Sequence, residues 1–366
     1  MLITHRTASR PVFDPGVPNY HGPADGRSRS QKHQAIIRPL LRGLAALEVR
    51  LEERGFEHLP REGAHLYCPN HVSAFDVPLT ITLPVKDLRF MGTVDLFQNP
   101  IGAKVAGWSG GFPVNKVSPS EITKEHSVEV VREGAGFLIY PEGRFTDEGE
   151  RGAIGPFKKG AAAAALLGGA ESVVPMAIHY GPNTKPRHLE RAVGLVAGAA
   201  TAGALLLPAD PILKSVAGAV GGGLLGAYLG NRIGRDRAVT KEAWNPGPRI
   251  QGGLKGAGWG ALAGIASGLA LAATPLPALA GGLAAIGLAE NWRNRPVAVI
   301  QAGEPIDTAP YLALAETDRS AATTALTEEL HRRIGTMKAE LSGVPYDDTA
   351  PKITHARPKE NWSAQD

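Results

Sequence analysis

The sequence predicts an α/β fold: a sheet flanked by helices, interrupted late in the chain by an inserted pair of Gly-rich hydrophobic helical hairpins. Three observations carry this. From 64 to 180, short apolar runs alternate with helical stretches, the pattern of an α/β domain. The alternation resumes at "PVAVIQAGEPI", residues 296–306. Between the two, within 191–295, long stretches carry no charge and glycine crowds the chain.

Residues 1–33 are rich in Pro, Gly, Ser and Arg without periodicity and read as a disordered tail. The stretch opens without the apolar core of a secretory signal. An amphipathic helix is predicted within 34–60: Ile37, Leu40, Leu41, Leu44, Leu47 and Leu51 recur at helical spacing, with Pro39 tolerated in the first turn. Arg38, Arg42 and Arg50 interleave with them, which leaves two readings open: a helix packed on the core, or one resting on anionic lipid.

The first part of the main domain spans 61–190. Here "AHLYC", "LRFMG", "GFLIY" and "SVVPMAIHY" read as strands, and "SPSEITKEHSVEVVREG" and "GPFKKGAAAAALLGG" as helices. Its last part, 296–345, adds a strand and a polar amphipathic helix at about 316–341, and 346–366 is a Pro-rich tail. The single cysteine, Cys68, excludes an intrachain disulfide and, in a strand, reads as a small buried apolar residue. A net charge of +4 is too small to argue for nucleic acid.

Within the insertion, 192–209, 215–230 and 256–289 carry no charge, and prolines in "LLLPADPIL" and "AATPLPALA" mark two hairpin tips. Glycines recur every fourth residue at Gly218, Gly222, Gly226, Gly230 and Gly234, then from Gly252 through Gly256, Gly260 and Gly264 to Gly268. In water each interior glycine costs a helix about 1 kcal/mol relative to alanine. In a bilayer, intrahelical hydrogen bonding is obligatory and a small-residue stripe lets helices approach closely. Limbs of 16–18 residues reach roughly 24–27 Å, just short of a ~30 Å hydrocarbon core. The connector 231–255 holds six Lys/Arg and two acidic residues, and "NWRNR" closes the second hairpin. Basic ends and an even number of crossings both place the main domain on the cytoplasmic face of a cell membrane. A water-soluble helical lid is the alternative.

The chemistry starts at "LYCPNHVSAFDVPLT", residues 66–80. The run Leu66-Tyr67-Cys68 ends a strand, Pro69 stops it, and Ser73 reads as the N-cap of a helix through Phe75, Val77 and Leu79. On one regular helix His71 and Asp76 would lie about 140° apart. They meet only if His71 sits on the turn before the helix and Asp76 reaches back from its start. Three more stretches follow: "GGFPVNK" ending in Lys116, "YPEGRFTDEG" with Glu142 and Arg144 either side of Gly143, and "VVPMAIHYG" beginning with Val174-Pro175 in its strand. Each alone has a plain reading as a turn, a solvated charge or a core strand that carries His179.

In this order and spacing the four blocks resemble those of the glycerolipid acyltransferase family that includes lysophosphatidate acyltransferase. The family's NHxxxxD block corresponds to Asn70-His71 with Asp76, its second, basic block to Phe112 through Lys116, its EGxR-type block to Glu142-Gly143-Arg144, and its VP strand to Val174-Pro175. The resemblance covers about a third of the chain and also touches "GEPI" at 303–306. Two departures stand out: a lysine where arginine is common in the second block, and arginine directly after glycine in the third.

What the resemblance implies is transfer of a fatty acyl group from an acyl thioester, acyl-CoA or acyl carrier protein, to a lysophospholipid hydroxyl, with membrane lipids as surroundings and no metal or cofactor. His71 would be the base that takes the hydroxyl proton, and Asp76 would fix its tautomer. Lys116 and Arg144 would hold the acceptor phosphate, and Glu142, beside Gly143, would orient the glycerol or the loop. A lipid esterase acting on water and a non-enzymatic membrane scaffold are the rival readings.

The glycine stripe generates a prediction of its own. Gly222→Leu combined with Gly226→Leu raises hydrophobicity yet weakens hairpin assembly, because bulk separates the packed backbones. Carbonate extraction of native membranes reads this: wild-type protein stays in the pellet. Complete extraction of the wild type would instead establish the soluble lid.

Overall fold

The computed structural model describes residues 21–22, 31–73, 75–114, 121–145, 154–181 and 295–354. The predicted hairpins, Lys116 and most of both tails lie outside the described residues. The chain divides into two compact units, one of Met1–Ala45, Glu52–His179 and Val299–Asp366, the other of Ala46–Leu51 with Tyr180–Ala298. Among the described residues, no helix is long and apolar enough to cross a membrane.

Among those residues eight strands form one sheet: β1 (Arg50–Arg54), β2 (His65–Pro69), β3 (Leu88–Thr93), β4 (Gly111–Val114), β5 (Gly136–Leu138), β6 (Ser172–Gly181), β7 (Val297–Ala302) and β8 (Ile306–Asp307). Their order is β1-β7-β6-β2-β5-β3-β4, with β8 antiparallel on β6. The run from β6 to β4 is parallel throughout. Helices are α1 (Gln31–Glu48), α2 (Asp76–Thr80), α3 (Val94–Gln98), α4 (Pro100–Trp108), α5 (Glu121–Arg132), α6 (Gly160–Gly168), α7 (Ala309–Thr317) and α8 (Arg319–Ser342).

A parallel strand covered on both faces needs an unbroken apolar run, and all five residues of β2 are buried. Leu66, Cys68, Phe137, Val173 and Ala177 pack on one sheet face against Val130 and Val131 of α5, the alanines of α6, and Leu326, Leu330 and Ile334 of α8. Pro175 is tolerated inside β6 because its carbonyl accepts from Gly303. The missing N–H falls on that same side, off the ladder to β2. Asp318 caps α8 by accepting from the Ala321 N–H, and Gly343 ends it in a left-handed conformation.

Several predicted boundaries are corrected. The segment 34–60 is not one helix: α1 begins at Gln31, within the predicted tail, and ends at Glu48. Leu51 instead belongs to β1, because the sheet offers 50–54 a ladder that an isolated helix end lacks. Pro39 therefore lies in the interior of α1 rather than its first turn. One side of α1 buries Gln34, Ile37 and Ala45, while Ile36, Leu40 and Leu44 form an exposed apolar stripe. The helix expected from 155 starts only at Gly160, since the Gly155 N–H is drawn off to Glu142 and Phe157 bridges to Ile353.

That bridge also overturns a tail starting at 346. Residues 346–354 return to the core: the Tyr346 ring lies so close to Gly335 that a Cβ there would sit 2.3 Å from its Cδ2. Glycine is the one residue that fits beneath it. The elements absent from the prediction are β1, β4, β8, α3, α4 and α7. Asn99 caps α4 by accepting from the Ile101 and Gly102 N–H groups.

His331 of α8, buried with its Nδ1 2.9 Å from the Tyr346 hydroxyl, is pushed down by burial from 6.5 to about 4. Between those values the unfolded chain binds a proton that the folded chain does not, so stability falls as pH falls from about 6.5 to about 4. His331→Gln flattens that decline, as read from melting temperatures at pH 7 and pH 4.5. An unchanged slope would mean that His331 contributes nothing to it.

Candidate active site

Because β6, β2 and β5 are neighbours, the residues after their carboxyl ends are brought together, where open parallel sheets place ligands. Asn70 continues β2 with its side chain. The buried amide accepts from Ile178 N at 2.6 Å and donates to Ile178 O at 3.2 Å, imitating a strand neighbour. Lys338 of α8 donates to the same carbonyl at 2.8 Å.

His71 follows on a turn, and the contact that helical spacing forbids is made. Its Nδ1 lies 2.8 Å from Asp76 Oδ2, and the same oxygen accepts from the Val72 and Ser73 N–H groups at 2.8 and 2.9 Å. These bonds hold the chain ahead of α2, which begins at Asp76. Ser73 is thus not the helix N-cap: its Oγ accepts from the Phe75 N–H within the turn. The Asp76 carboxylate is completely buried, and a buried charge is tolerated when hydrogen bonds replace its water. With Nδ1 donating to a carboxylate, the basic lone pair of the imidazole is on Nε2.

The His71 side chain is 13% exposed and bracketed by two rings. Tyr140 stacks on it at 3.9 Å between centroids, and Phe145 tilts against it at 4.5 Å. The Tyr140 hydroxyl is 2.6 Å from Thr80 Oγ1, which in turn donates to the Asp76 carbonyl. Burial, reinforced by the Asp76 charge, pushes the Tyr140 hydroxyl well above its ordinary range and keeps it neutral.

Glu142 is buried, and its two oxygens accept from the His71 N–H at 2.9 Å and the Gly155 N–H at 3.1 Å. Of the two roles expected for it, holding the loop is the one these bonds serve. Gly143 turns the chain with φ +63°, open to only a minority of other residues, and Arg144 is half-buried with its Nη1 donating to the Phe145 carbonyl at 3.0 Å. His179, in the last part of β6, has its Nδ1 3.4 Å from Lys338 Nζ. Burial and that charge pull its imidazole down to about 4, so it stays neutral. Cys68 is buried and its thiol is pushed up by burial, which leaves it inert.

Of the six residues singled out in the sequence, His71, Asp76 and Glu142 are thus directly joined. Gly143 and Arg144 lie on the turn whose ends touch the His71 ring, and Lys116 is outside the described residues. Tyr140, Thr80 and Phe145 were missed. Position at the carboxyl end of a predicted strand was the signal available for Tyr140.

Charged side chains gathered at the carboxyl ends of parallel strands, around a His–Asp pair, define an α/β enzyme-type site. The family model for Acyltransferase matches residues 50–179, a span that contains the His–Asp pair and the Glu142 turn. That span is about a third of the chain, and over it the sequence is similar to the Acyltransferase family. No curated protein matches it. Among solved structures the chain is similar to the 1-acyl-sn-glycerophosphate (LPA) acyltransferase PlsC from Thermotoga maritima, at 20% identity and a TM-score of 0.35, over 40% of this chain. The match spans 57% of that enzyme's own length.

The Glu142 clamp makes a testable demand. Glu142→Gln keeps one acceptor oxygen but sets an NH₂ against a backbone N–H, a loss of about 1–3 kcal/mol for a buried unsatisfied donor. The melting temperature of detergent-purified protein then falls by about 2–4 °C for each kcal/mol. An unchanged value would show that the clamp is not holding the two loops.

Proposed function

We propose that this protein is an acyltransferase that moves a fatty acyl group from an acyl thioester to the hydroxyl of a lysophospholipid, 1-acylglycerol-3-phosphate, giving phosphatidate on the cytoplasmic face of a cell membrane. The observation that carries the reading is the His71 Nδ1–Asp76 Oδ2 bond of 2.8 Å, set inside the acyltransferase-family domain. His71 Nε2 takes the acceptor's hydroxyl proton as the oxygen attacks the thioester carbonyl. The tetrahedral intermediate collapses with loss of the thiolate, which takes the proton back from the imidazolium. Asp76 holds the tautomer and stabilises the imidazolium. The acceptor oxygen is itself the nucleophile: Ser73 Oγ is buried and engaged with the Phe75 N–H, and the Cys68 thiol is inert. Arg144 and Lys116 hold the phosphate.

Membrane residence is supported by the uncharged insertion and by α1. The exposed Ile36, Leu40 and Leu44 suit a lipid interface, and Arg38, Arg42, Arg61 and Lys86 line an adjacent groove of about 540 Å³ together with Glu62, which pairs with Lys86.

The test is a panel of acceptors and of acyl-CoA and acyl carrier protein donors, with full-length protein in detergent and products identified by mass spectrometry. Phosphatidate is the expected product. His71→Ala should lower turnover about 10²–10⁴-fold, the usual cost of losing a general base. Near wild-type turnover in that variant would sink the mechanism, and free fatty acid released without an acceptor would make the protein an esterase.

A further inference from the structure

The turn at 140–145 touches the His71 ring from both ends, through Tyr140 and Phe145. The middle of the turn is within three residues of both ring contacts. That middle is Gly143, and Lys158 lies over it. A Cβ built on Gly143 would sit 2.9 Å from both Cδ and Nζ of Lys158 and 3.0 Å from its Cε. The missing side chain is what leaves the lysine stem a bed. The Lys158 backbone is tied to the same turn, its N–H donating to the Pro141 carbonyl at 2.8 Å.

The neighbouring Lys159 is used differently. Its Nζ donates to Thr324 Oγ1 of α8 at 2.7 Å, which fixes the start of α6 to the core. Lys158 is exposed, so its ammonium can reach a ligand. The turn's own carboxylate, Glu142, faces inward with its oxygens on the His71 and Gly155 N–H groups. Two cationic side chains accompany the turn: Arg144, half-buried, and Lys158, exposed. A lysophosphatidate carries its phosphate a few bonds from the hydroxyl that reacts, so an acceptor placed for His71 sets that dianion near the turn.

We infer that Lys158 is a binding residue for the acceptor's phosphate monoester, a cation of the site that lies outside the four sequence blocks. This rests on the phosphorylated-acceptor reading above. Gly143 pre-arranges the lysine stem, so little of its freedom is lost on binding, and its ammonium adds a point charge to the Arg144 fork. It acts on binding and not on the proton transfer.

The experiment uses full-length protein in detergent with Lys158→Met, which keeps the stem over Gly143, and Lys158→Arg. Lys158→Met raises KM for lysophosphatidate about 10-fold or more, the scale of one charge-assisted hydrogen bond. It leaves kcat, the donor KM and the KM for unphosphorylated monoacylglycerol within about two-fold of wild type. Lys158→Arg recovers most of the lysophosphatidate KM. Binding of glycerol 3-phosphate and of inorganic phosphate, measured by calorimetry, weakens in step in Lys158→Met. That arm decides the matter even if no acyl transfer is found: equal glycerol 3-phosphate binding by wild type and Lys158→Met, or none by wild type, overturns the assignment. A KM rise for monoacylglycerol as large as that for lysophosphatidate overturns it too. If inorganic phosphate binding weakens as much as that of glycerol 3-phosphate, the site recognises the phosphate alone. Lack of transfer together with a binding difference would refute the acyltransferase reading and leave the phosphate site standing.

Discussion

One buried oxygen, Asp76 Oδ2, organises the front of this sheet. It accepts from the His71 imidazole and from two successive backbone N–H groups, so the same atom that sets the tautomer also sets the path of the chain. A carboxylate with no access to water is costly to bury unless its lone pairs are used, and here the use is local. The turn and the His–Asp pair are one object: neither can loosen without leaving a buried charge underprovided.

Glu142 applies the same economy across chain segments. It joins the turn after β2 to the segment before α6, and it does so from the turn after β5. Asn70 ties the start of the His71 turn to β6 in a similar way. The imidazole is thus fixed from three strands, while the rings of Tyr140 and Phe145 hold its plane. Preorganisation of this kind lets a weak base act without first paying to be ordered.

The sequence made much of this legible. Apolar runs bounded by turns located β2, β3, β5, β6 and β7, because a buried parallel strand has a compositional signature. The helical-spacing argument located His71 before α2 by elimination. Ser73 misled because a hydroxyl before an apolar run looks like a cap, whereas its Oγ serves the Phe75 N–H and the helix begins only at Asp76. "RLEER" was read as helix because its charges and length carry no strand signal, and it is strand because it lies on the sheet. The inward turn of Glu142 and the course of the Lys158 stem over Gly143 follow from tertiary placement, which no local pattern encodes.

The sheet's strand order also dictates a schedule. β7 lies between β1 and β6, yet residues 182–296 separate it from β6 along the chain. At 5–20 residues per second that stretch takes roughly ten seconds to synthesise. Throughout that interval β1 lacks its neighbour, and the sheet face that Leu326, Leu330 and Ile334 of α8 will cover has no cover. The ribosome therefore finishes the 191–295 segment before β7 can pair and before α8 can cover that face.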